Sequence, residues 1–84
     1  MTYTYTPRGV CSRQITVELS DSGVIEKVSF VGGCNGNTQG VSALVKGMKA
    51  EEAISRMKGI NCNGRGTSCP DQLAQALTEA LEEL

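Results

Sequence analysis

Cys11, Cys34, Cys62 and Cys69 are the residues best suited to chemistry in this 84-residue chain, which contains no histidine. They are separated by 22, 27 and 6 residues, so no CxxC pair exists. That spacing excludes a zinc ribbon and a thioredoxin-like redox pair. Thiolates are soft ligands suited to a zinc ion or an iron–sulfur centre. The absence of histidine removes the usual base for a serine nucleophile. Arg8, Arg13 and Arg65 each lie within three residues of a cysteine, where they offset the negative charge of a tetrathiolate zinc site.

Two other readings stand beside this one. A cysteine, Cys11 above all, also serves as a small buried hydrophobe. The glycine-rich loops around Cys34 and Cys62 could cradle an anion with their backbone N–H groups. GGCNGNTQG nevertheless lacks the GK[ST] ending of a phosphate-binding loop. Asp71 and the glutamates read as caps and solvent-facing charges rather than acid–base catalysts.

The elements that must position the cysteines follow from periodicity. TYTYT alternates, with Tyr3 and Tyr5 on one face. Ile15, Val17 and Leu19 alternate in the next strand, Asp21-Ser22-Gly23 marks a hairpin, and Val24, Val28 and Phe30 share a face after it. The predicted strands are 2–7, 11–20 and 24–31, an antiparallel meander that returns the region of Cys34 to that of Cys11. Gly32 opens a loop expected to present Cys34 and feed a helix near Thr38. Val41, Leu44, Val45 and Met48 give that helix its apolar spacing, over 38–48. Ala53, Ile54 and Met57 do so for 50–58, with Gly59 as the stop. A second Gly/Asn loop carries Cys62.

The last helix, 69–83, begins at Ser68–Pro70. Ser68 caps it, Asp71 sits where it completes a capping box, and Pro70 falls in the first turn. Leu73, Ala76, Leu77, Ala80, Leu81 and Leu84 form its apolar stripe. Cys69 at this helix start has its thiolate favoured by the helix dipole. The fold class is α+β, one sheet of three strands against three helices in a single domain, 1–84.

Size and composition exclude much else. A chain of 8.9 kDa cannot enclose a large internal substrate cavity or a doubly wound nucleotide-binding fold. Only three aromatic rings and ten glycines leave a weak core that needs a metal, disulfides or a partner. The net charge of −1, split as +3 over residues 1–65 and −4 over 66–84, offers no general attraction to nucleic acid. No apolar run approaches the roughly 20 residues needed to cross a bilayer. The start, MTYTYTPRG, has no signal-peptide pattern, so the expectation is a cytoplasmic protein with no membrane partner. In that reducing setting four cysteines point to ligands or reactive thiols before disulfides.

The run Thr67-Ser68-Cys69-Pro70-Asp71 spells TSCPD, and the chain resembles the TSCPD domain family over roughly residues 8–84. The Gly32–Gly36 loop, the GVSALVKGM helix and Cys62 add to the likeness. A similar domain lies near the C-terminus of adenosylcobalamin-dependent ribonucleotide reductases, and small stand-alone members often carry the label ribonucleoside-diphosphate reductase. The order of elements is also similar, more distantly, to iron–sulfur scaffold proteins of the IscU/NifU type. In them the three ligands would fall at Cys11, Cys34 and Cys69. This chain departs from that pattern at Arg13, where the scaffold has a release-linked aspartate, and at Ser68, where it has a histidine. It also adds Cys62.

The expected function is a small accessory module that holds a zinc ion or an iron–sulfur cluster on Cys11, Cys34, Cys62 and Cys69. By resemblance it serves a protein partner, a ribonucleotide reductase. Catalysis by this chain alone is not expected, since radical and nucleotide sites need a much larger enclosure. The alternative is an iron–sulfur carrier or a thiol-redox protein supporting ribonucleotide reduction.

Overall fold

The computed structural model describes residues 1–8, 12–32, 35–60 and 66–84. Within them the chain runs β1 (Thr2–Tyr5), β2 (Ser12–Leu19), β3 (Ile25–Gly32), α1 (Asn35–Val45), α2 (Ala50–Met57) and α3 (Cys69–Glu82). The three strands form an antiparallel sheet in the order β1-β2-β3. Backed by three helices, this is the α+β meander that the periodicity predicts.

Alternation in β2 works as expected: Ile15, Val17 and Leu19 are fully buried, and α3 packs against this strand. In β3 the alternation breaks. Leu19 pairs with Ile25 while Glu18 pairs with Lys27, so one residue is added to β3. This bulge turns Ile25 inward, rather than Val24, and returns Val28 to the buried face with it. The turn before it is three residues long and closes at Gly23, whose φ of +80° suits a glycine. The same glycine's carbonyl accepts the N–H of Ala50 at 2.8 Å, satisfying the start of α2, where Lys49 makes no side-chain cap.

α1 begins three residues before the expected Thr38. Glycine and asparagine are poor in a helix interior but fit a first turn, whose N–H groups need no intrahelical acceptor. It also ends early, because Gly47 takes a left-handed φ of +88° two residues past Val45. Its apolar spacing is only half realised: Val45 is buried and Leu44 is 78% exposed. α2 and α3 pack together, and both carry small buried residues, among them Ala50, Ala53, Ala74 and Ala76. Leu73, Leu77 and Ala80 complete the core, while Leu84, expected on the stripe, is exposed beyond the helix end.

Candidate functional site

The site is built around the start of α3. Ser68 adopts an extended backbone (φ −154°, ψ 170°) and its Oγ accepts the N–H of Asp71 at 3.1 Å, as an N-cap should. Pro70 follows within the first turn, where its missing N–H has no cost. Cys69, between them, is the first helical residue and is half-buried.

The carboxylate of Asp71 was expected to close a capping box onto Ser68. It reaches other donors. Gly59 N–H donates to it at 2.7 Å, the Thr67 hydroxyl at 2.5 Å and the Gln75 amide at 3.3 Å. Asp71 is only 7% exposed, so it is a buried latch and not a solvent-facing charge. Burial pushes its pKa upward, but the hydrogen bonds from Thr67, Gly59 and Gln75, with the charge of Lys58, hold it below the ordinary carboxylate value.

Gln72 is the functional neighbour that periodicity hides. Its side-chain oxygen accepts the backbone N–H of Arg8 at 2.8 Å and the Tyr5 hydroxyl at 3.1 Å. Its amide donates to the Thr67 oxygen at 2.9 Å. Thr67 thus joins Gln72 to Asp71, and through them the end of β1, the end of α2 and the start of α3 meet. The available signal was a polar residue on the inward arc of a helix, next to Leu73 and four residues before Ala76. At the same end of the sheet, Ser12 pairs with Gly32.

Of the four candidate ligands, only Cys69 falls within the described residues; Cys11, Cys34 and Cys62 lie outside them. What the structure describes is the residues on either side. Arg8 and Ser12 border the Cys11 segment, Gly32 and Asn35 the Cys34 segment, and Ile60 and Gly66 the Cys62 segment. Arg8 is tied to Gln72, and Gly59, one residue before Ile60, to Asp71, so the Cys11 and Cys62 segments are fastened at one border to the helix start that carries Cys69. Ser12 pairs with Gly32, which joins the borders of the Cys11 and Cys34 segments across the sheet. Among the described residues alone, no group of three or more His, Cys, Asp or Glu side chains could hold a metal ion. A metal centre therefore needs the other cysteines. The donor set of four thiols without histidine suits zinc or an iron–sulfur centre.

Tyr3 and Tyr5 both reach α3, Tyr5 at Gln72 and Gln75 and Tyr3 farther along the helix. The Tyr3 hydroxyl donates to Glu79 at 2.6 Å, and that bond, with burial and the charges of Glu79, Glu83 and Glu82, pushes its pKa up to about 12. Tyr5 is also raised, by burial first and then Glu79, with Arg8 opposing. These groups fasten β1 to the helix. No described helix is long and apolar enough to cross a membrane.

The TSCPD domain family model matches residues 1–81. Neither a curated protein nor a solved structure matches the chain.

Proposed function

The chain belongs to the TSCPD domain family, and from that premise we propose that it is a small accessory module whose cysteines bind one metal centre in support of ribonucleotide reduction. The family is consistent with a small domain associated with ribonucleotide reductase. Cys69, Cys11, Cys34 and Cys62 are the proposed ligands. The observation that carries the reading is that residues beside the Cys11 and Cys62 segments are fastened to the α3 start, where Cys69 stands, while Gly32 beside the Cys34 segment pairs with Ser12 beside the Cys11 segment.

The division of labour in the TSCPD motif supports it. Thr67 bridges Gln72 and Asp71, Ser68 caps the helix, Pro70 fits its first turn, and Asp71 latches Gly59. Four residues thus shape a rigid helix start that carries the fifth, a thiol. Bound zinc would supply folding free energy to a domain with a small core. Arg8, Arg13 and Arg65 would offset the negative charge of four thiolates on one divalent ion. The association with a reductase is the partner reading that the family suggests.

Anaerobic purification with elemental analysis and an absorption spectrum tests the proposal. About one zinc per chain in a colourless protein is the expected result. Brown protein with iron and sulfide would instead assign an iron–sulfur centre to the same ligands. A metal-free protein whose thiols pair on oxidation would overturn metal binding. Cys69→Ser should lower both metal content and stability, and a variant unchanged in both would remove Cys69 from the site.

A further inference from the structure

We propose that the outer edge of β3 is a docking slot for a short, uncharged, extended peptide segment of a partner protein, which adds as a fourth strand. The proposal stands on the β3 edge and the side of α1 that faces it, and uses none of the cysteines.

The argument starts from backbone direction. Leu19 and Met1 exchange both backbone hydrogen bonds, at 2.8 and 2.9 Å, so Leu19 directs its N–H and C=O toward β1. Alternation gives Val17 and Ile15 the same direction, since they pair with Tyr3 and Tyr5. Their partners across the other side, Val28 and Phe30, therefore point their N–H and C=O groups away from β2, at the sheet edge. Ile25, the partner of Leu19, confirms the pattern: its outward N–H donates to Met48 and its outward C=O accepts from Gly47, both at 2.8 Å. The chain after α1 thus occupies the fourth-strand row beside Ile25 and leaves it before Val28. Among the described residues, no hydrogen bond reaches the outward backbone groups of Val28 and Phe30.

A groove of about 470 Å³ runs along this stretch. One wall is Val28, Ser29 and Phe30; the other is Thr38, Gln39 and Ser42 of α1. That volume falls in the range of small-ligand sites, roughly 300–1,000 Å³. From Val28 to Gly32 the edge has no charge and no proline, the devices that ordinarily discourage strand addition. The outward backbone groups of Val28 and Phe30 select an extended segment, and walls without a charged side chain select an uncharged one. A second copy of this chain fits poorly. Two-fold pairing of β3 with β3 would set the strands about 4.8 Å apart. The two α1 helices, each packed on its own β3, would then be crowded below the roughly 8–10 Å that helix axes need.

The test uses the full chain, isotope-labelled, with an acetylated and amidated pentapeptide of alternating threonine and valine as probe. At millimolar peptide, amide hydrogen exchange at Val28 and Phe30 should slow at least tenfold. The same peptide N-methylated at its three central residues should bind about tenfold more weakly or worse, because its strand hydrogen bonds are gone. Ser42→Tyr, which fills the groove from the helix side, should weaken binding similarly while leaving the far-ultraviolet circular dichroism spectrum unchanged. Unchanged exchange at Val28 and Phe30, or equal binding of the N-methylated peptide, would overturn the proposal. Protection of these amides that grows with protein concentration, without peptide, would assign the edge to a second copy and overturn it as well.

Discussion

The carboxylate of Asp71 accepts the backbone N–H of Gly59 at 2.7 Å, tying the end of α2 to the start of α3 across the segment that contains Cys62. Two further donors, Thr67 and Gln75, complete the shell of this buried group. The contact does two jobs. It ends α2 at a glycine with φ of +86°, and it anchors the helix start that carries Cys69.

Asp71→Ala removes a charged acceptor from three donors. A hydrogen bond to a charged group contributes about 1.5–3 kcal/mol, and this variant should lose about 2–3 kcal/mol of stability in urea unfolding. A loss under about 0.5 kcal/mol, the range of neutral surface changes, would show that the latch is dispensable.

Acid should weaken the same latch. The folded-state pKa of Asp71 is depressed, so its stabilisation is present above the unfolded value, about 3.9, and is lost as pH falls through the lower folded value. The urea midpoint of the native protein should therefore drop below about pH 4. Asp71→Asn, which cannot titrate, should show a smaller drop over the same interval, and equal drops would contradict the assignment.

Tyr3 should titrate late. Its hydrogen bond to Glu79 and the nearby glutamates favour the neutral phenol, with a pKa pushed up to about 12. Stability from this group is complete below about pH 10, the unfolded value, and is lost as pH rises toward the folded one. Phenolate absorbance should reveal the high pKa in the native protein. In Glu79→Gln the Tyr3 transition should move back toward its ordinary value; an unmoved transition would locate the cause elsewhere.

Leu77 and Leu44 both occupy apolar helical positions, yet one is fully buried and the other is 78% exposed. Leu77→Ala should cost about 2–5 kcal/mol through lost burial and the cavity left behind. Leu44→Ala should stay within about 0.5 kcal/mol of the native protein. Paired denaturation curves check both, and similar costs for the two variants would contradict the packing described.

Much of this protein was settled by its sequence alone. Alternation at Ile15, Val17 and Leu19 sufficed for β2, because side-chain direction in a strand depends only on parity. The Ser68 cap, the Pro70 position and the glycine stop at Gly59 were legible because helix ends are chosen by a few adjacent residues. The TSCPD run named the family. Tertiary structure decided what depends on distant partners. The bulge opposite Glu18 chose Ile25 over Val24 for the core, and the limited packing of α1 left Leu44 in solvent. Asp71 turned from a capping box to Gly59, and Gln72 became a buried clamp for Arg8 and Tyr5. Periodicity records the phase of a side chain on its own element. It does not record which distant donor arrives opposite it, and such arrivals built the bonded network of Asp71 and Gln72 at the start of α3.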